Sequence, residues 1–122
     1  MPEHIELGKL GENLACNFLQ QQNYTILFRN WRYSNAEIDI IASLDKVLHF
    51  IEVKTRSTKN FGEPEDSVNG KKMQKLIDAS EAFQEEHPEW TRIQFDILSI
   101  TMEKGKAVEA ADKKYIADDN GK

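Results

Sequence analysis

Asp39, Glu52 and Lys54 stand close together in the chain and carry the side chains that phosphate chemistry uses. A pair of carboxylates is the donor set that a hard cation such as Mg²⁺ or Mn²⁺ takes. A lysine beside them can hold a water and stabilise charge building up on a phosphate. Whether the three meet depends on one predicted hairpin. Glu37–Ala42 and Val47–Arg56 read as strands, with a turn candidate from Leu44 to Lys46. A two-residue loop, Asp45-Lys46, or a four-residue loop, Leu44–Val47, sets Asp39 opposite Glu52, Glu37 opposite Lys54 and Ile41 opposite Phe50. Alternation then puts these six side chains on one face and the pairs Ile38/Val53 and Ile40/Ile51 on the other. A three-residue loop would offset the pairing by one.

Opposed residues bring their Cβ atoms to about 4.5–5.5 Å, where like charges repel. Two readings of Asp39 and Glu52 follow. A divalent cation turns the repulsion into coordination. Alternatively both point into solvent, or one is protonated, and Glu37 with Lys54 is a plain cross-strand ion pair. Glu12 is a further candidate. On a helical wheel it lies at the shoulder of an apolar stripe, between Gly8 and Ala15 on one side and Cys16 on the other. It can reach a metal there, or remain a solvated residue at a helix edge.

The elements that must position these residues have the order αβββαββ. A helix is predicted from about His4 to Gln22, where Leu7, Leu10, Leu14 and Phe18 recur at spacings of three and four. Gly8 and Gly11 thin it on one side, and Asn23 is a plausible stop. Tyr24–Tyr33 is the first strand, closed by a Ser34-Asn35 turn, and the hairpin follows. Ser57–Asn69 reads as a loop, Gly70–Glu86 as an amphipathic helix with Met73, Leu76, Ile77 and Phe83 on one face, and Arg92–Thr101 as a strand. A turn at Lys104-Gly105 leads to a short strand near Ala107. The pattern implies an α/β fold: a layered αβα domain with a mixed sheet of about five strands, the first three an antiparallel meander. Residues 1–111 are expected to form the single domain and 112–122 a polar tail.

Gly8-Lys9-Leu10-Gly11-Glu12, the run Glu37-Ile38-Asp39-Ile40-Ile41-Ala42 and Phe50-Ile51-Glu52-Val53-Lys54-Thr55-Arg56 together resemble the YraN-like family of small bacterial proteins. Phe61-Gly62, Lys71-Lys72 and Phe95-Asp96 add to the likeness, which covers about residues 5–100. That family looks like a distant relative of archaeal Holliday-junction resolvases within the restriction-endonuclease-like PD-(D/E)xK superfamily. The resemblance implies Mg²⁺- or Mn²⁺-assisted hydrolysis of phosphodiester bonds in nucleic acid, with branched DNA as one substrate. It implies Asp39 and Glu52 as metal carboxylates and Lys54 as the catalytic lysine. Glu12 would complete the acidic cluster, Glu37 would lie beside it and Arg56 near a phosphate. It also implies a homodimer. One departure is visible: Asn35-Ala36 precedes the Glu-Ile-Asp run where the family usually has glycine, which leaves the shape of that turn open.

The formal net charge of -5 weighs against nucleic acid, but the excess acid is confined to residues 76–122, with 6 Lys/Arg and 11 Asp/Glu. Between Arg29 and Lys75 basic residues outnumber acidic ones 9 to 7. Arg29, Arg32, Arg56, Lys59, Lys71, Lys72 and Lys75 are thus a candidate phosphate-tracking edge, though each singly reads as a solvated side chain. Trp31 and Tyr33 can stack on bases, or pack a strand against a helix. His4, His49 and His87 have no metal spacing, and His49 falls on the Ile40 face as a packed residue. The lone Cys16 excludes an intrachain disulfide and suits a reducing, cytoplasmic setting. No apolar run is long enough to span a membrane, and the start of the chain shows no signal segment. The loop at 57–69 is a candidate for closing on substrate or exchanging in a dimer. A non-catalytic nucleic-acid-binding module is the alternative to a nuclease, and a structural or interaction domain is a third reading.

Overall fold

The central strands carry apolar side chains on both faces, so both faces must be covered. In the computed structural model, which describes residues 3–57, 70–104 and 106–115, two helices cover them. The elements are α1 (Glu3–Gln21), β1 (Thr25–Tyr33), β2 (Ala36–Leu44), β3 (Val47–Ser57), α2 (Gly70–Glu86), β4 (Ile93–Glu103) and β5 (Lys106–Tyr115). The sheet order is β1-β2-β3-β4-β5. β3 and β4 are parallel and the other neighbours antiparallel. A parallel pair needs a long crossover, and the connection through α2 supplies it. Ile41, Leu48, Phe50 and Ile97 pack against Met73, Leu76, Ala79 and Phe83 of α2. Ile40, Ala42, Ile51, Leu98 and Ile100 pack against Ala15, Cys16 and Leu19 of α1. The expected layered αβα domain is therefore the observed one.

Local sequence sets the ends of these elements. α1 closes at Asn23, whose φ is 75°. Tyr24 N–H donates to Leu19 C=O at 3.0 Å and Asn23 N–H to Gln20 C=O at 3.0 Å, the left-handed cap that asparagine tolerates. The β2–β3 turn uses Asp45 and Lys46 with φ of 52° and 70°, a tight turn whose twist matches the strands. It sets the register from Leu44↔Val47 to Ile40↔Ile51, as the two-residue loop predicted. His49 lies opposite Ala42 and is buried. The Ser34-Asn35 turn closes on Tyr33↔Ala36, with Ser34 at φ 58°.

Two expectations are corrected. Ile38 does not pair with Val53 on the α1 side; it belongs to the α2 layer with Ile41 and Phe50. The paired register of β2 and β3 ends at Ile40↔Ile51, so strict alternation cannot be carried past that point. The last strand is also longer than the short one expected near Ala107. Its pairing with β4 runs on to Tyr115. Tyr24 Oη–H donates to the Asp112 carboxylate at 3.2 Å and ties the strand to the start of β1. An edge strand exposes one row of groups to water and tolerates charged residues there. Among the described residues, no helix is long and apolar enough to cross a membrane.

α1 lies so close to β3 that a Cβ on Gly11 would collide with Thr55 Oγ1 and sit 3.1 Å from both Thr55 Cβ and Cγ2. Gly11→Ala is therefore expected to lower stability by about 1–3 kcal/mol, despite the helix propensity of alanine. The double substitution Gly11→Ala/Thr55→Ala should recover much of the loss in urea denaturation. Equal or higher stability of Gly11→Ala alone would show that the helix does not touch the strand there.

Candidate functional site

The acidic residues gather where β2 parts from β3. Beyond Ile40↔Ile51 the Asp39 carboxylate takes the place of a strand carbonyl and accepts the Val53 N–H at 2.8 Å. Asp39 therefore does not stand opposite Glu52 as a regular cross-strand pair. It lies near the plane of the sheet, beside the β3 backbone. β3 pairs with β4 without a break from Leu48 to Ser57, so alternation holds along it. Val53 packs in the α1 layer, which leaves Glu52, Lys54 and Arg56 on the α2 side.

A cavity of about 360 Å³ opens on that side. Glu37, Asp39 and Glu52 form one wall, and Lys71, Lys72 and Lys75 from the first turns of α2 form the other. Lys72 Nζ reaches Glu52 Oε2 at 2.5 Å, and Glu52 is buried. Lys54 is half-buried on the same face but is not among the described residues that line this cavity. Glu37 is not paired with Lys54. It faces Arg32 across β1–β2, with Arg32 Nη2 3.8 Å from Glu37 Oε2. The Arg32 side chain is 75% exposed, so this contact contributes little. Glu12 lies across the sheet on α1. Its Oε1 accepts from Arg29 Nη2 at 3.1 Å and from Asn30 Nδ2 at 3.1 Å. Arg29 also donates to Asn13 Oδ1 at 2.8 Å, so this arginine is engaged within the acidic cluster. Lys59 and the Phe61-Gly62 pair fall outside the described residues.

Burial, followed by the charge of Glu52, pushes the Asp39 carboxyl up to about 7. Glu12 and Glu37 add to the rise, and the Val53 N–H opposes it. Three carboxylates share this cavity, and burial beside them favours the protonated form of Asp39. This donor chemistry fits a Mg²⁺ ion, which takes one or two carboxylates and keeps several waters. Among the described residues, no group of three His, Cys, Asp or Glu side chains converges to cage a metal. Any ion at Asp39 and Glu52 would have to displace Lys72.

Sequence reasoning missed three features. Lys72 belonged to the predicted phosphate edge, yet its partner is a carboxylate of the acidic wall. Asn30 drew no attention, and its signal was a lone asparagine inside an aromatic strand. His49 Nδ1 lies 3.0 Å from Asp96 Oδ1, both buried, with the Tyr24 ring edge-on at 5.0 Å. That cluster lies on the α1 side, away from the cavity. Trp31 packs edge-on against Phe83 at 5.3 Å, a structural role, while Tyr33 is 45% exposed.

The fold and this cavity define a layered αβα domain that sets an acidic cluster of β2 and β3 against lysines of the crossover helix. The sequence pattern of the uncharacterised protein family UPF0102 matches residues 11–100, and the chain belongs to that family, the YraN-like group whose motifs it carries. A UPF0102 protein from Flavobacterium johnsoniae is 49% identical over 104 residues, covering 82% of this chain and 85% of its own length. One from Flavobacterium psychrophilum is 43% identical over 104 residues, covering 85% and 87%. One from Bacteroides thetaiotaomicron is 39% identical over 105 residues, covering 86% and 87%.

Asp39 binds its proton more tightly in the folded chain than in the unfolded one. Its contribution to stability is therefore complete below about pH 4 and is lost as pH rises through about 7. Asp39→Asn keeps an oxygen for the Val53 N–H and removes the charge. In chelator at about pH 8 it is expected to unfold at a higher temperature than the parent, with the difference shrinking toward about pH 4. A lower midpoint at the alkaline end would show that the carboxylate charge is already compensated.

Proposed function

We propose that this protein is a metal-dependent nuclease that hydrolyses phosphodiester bonds in nucleic acid, with DNA, branched DNA included, as its substrate. The observation that carries the reading is the half-buried Asp39 beside the buried Glu52, in a cavity whose facing wall is three lysines. Asp39 and Glu52 would hold Mg²⁺ or Mn²⁺, which supplies Lewis-acid polarisation of a phosphoryl oxygen. Lys54, on the same face as Glu52, holds the attacking water and stabilises negative charge on the phosphate. Lys71 and Lys75 grip phosphate from α2, and Lys72 joins them once it leaves Glu52. Glu12, braced by Arg29 and Asn30, adds negative charge near Asp39 from the α1 side. Arg32 and Arg56 extend the basic surface along the strands, and a homodimer would double it.

One observation favours a second reading. Lys72 already neutralises Glu52 within the chain, as suits a nucleic-acid-binding module without catalysis.

Calorimetric titration with Mn²⁺ and cleavage of end-labelled linear and branched DNA separate the two. A nuclease binds the ion, and loses it in Asp39→Ala and Glu52→Ala. Lys54→Met retains the ion but cleaves at least about a hundredfold more slowly. DNA binding that weakens steeply with salt, with no ion bound and no cleavage at millimolar Mn²⁺, selects the binding module.

A further inference from the structure

We infer that Asn30 is a positioning residue for the acidic site, acting through both its backbone and its amide. Among the described residues, six that are not glycine have positive φ, and five of them lie in turns or at the end of α1. Asn30, with φ 55°, is the one inside a strand. The left-handed region is costly for residues with branched or bulky side chains, and asparagine is among the few that enter it readily.

The consequence is a change of face. Phe28 and Trp31 both contact Phe83 on the α2 side. Arg29 and Asn30, between them, both reach Glu12 on the α1 side. A regular strand would have placed Phe28 and Trp31 on opposite faces. β2 makes the same change at the same level. Ile38 and Ile41 lie in the α2 layer, while Ile40 lies in the α1 layer. The pairs Arg29↔Ile40 and Trp31↔Ile38 flank this level, leaving Asn30 across from Asp39. Because both strands change face together, Trp31 and Ile38 stay paired on one side. Asp39, at the crossing point, leaves the alternation and turns its carboxylate to the Val53 N–H. The Asn30 amide meanwhile donates to Glu12 Oε1 at 3.1 Å. One residue thus shapes the strand that presents Asp39 and anchors the carboxylate across the sheet.

Asn30→Gly keeps the left-handed backbone and removes the amide; Asn30→Val removes both. The first readout needs no metal: hydrogen exchange of the Val53 amide relative to the buried Leu98 amide, which reports global opening. Asn30→Gly should keep the parent ratio, and Asn30→Val should lose at least about tenfold of it. The backbone role is overturned if Val53 in Asn30→Val stays as protected as in the parent. It is also overturned if Asn30→Gly alone exposes Val53, an outcome that decides the matter even where Asn30→Val does not fold. The second readout, Mn²⁺ affinity, rests on the proposed metal reading. Asn30→Gly should bind about tenfold more weakly as Glu12 loses one of its two braces, and unchanged affinity overturns the amide's role. A parent that binds no Mn²⁺ refutes the metal reading and, with it, the amide's part, while the exchange ratio still decides the backbone's.

Discussion

The hydrogen bond from Val53 N–H to the Asp39 carboxylate is the constraint on which the site depends. In an unbroken ladder a neutral carbonyl would fill that position. Here a carboxylate fills it, between two apolar layers and beside Glu52. A hydrogen bond to a charged acceptor contributes about 1.5–3 kcal/mol. That does not offset burial and like charge together, so Asp39 keeps its proton up to about 7. Lys72 answers the charge of Glu52, while the partner that Asp39 holds is a neutral amide.

The two helical layers serve this point from opposite sides. Gly11 lets α1 touch β3 at Thr55 and brings Glu12, one residue on, into the field of Asp39. The β3–α2–β4 crossover brings Lys71, Lys72 and Lys75 over the other face. Acid from one layer and base from the other meet where the sheet opens. Regular pairing on both sides of that opening, Ile40↔Ile51 in one ladder and Leu48 to Ser57 in the next, keeps the gap from spreading.

Local patterns in the sequence carried much of this. Apolar spacing marked α2 at its observed ends, and the Asp45-Lys46 loop marked the register of the central hairpin. The buried runs on both faces of β2 and β3 announced two covering layers. Past Ile40 the same alternation misled, because a left-handed residue on β1 reverses the faces of two strands at once. No apolar period records a backbone angle on a neighbouring strand. Lys72 was legible as a cation but not as the partner of Glu52, since the crossover and not local sequence sets where α2 lands.

The central claim is that Asp39 and Glu52 form a cation site which Lys72 guards in the metal-free chain. Anomalous diffraction from crystals soaked in millimolar Mn²⁺ tests it most directly. The account predicts a peak about 2.1 Å from oxygens of both carboxylates, with Lys72 Nζ withdrawn from Glu52. Crystals with no peak at these residues, and with Lys72 still on Glu52, would contradict it.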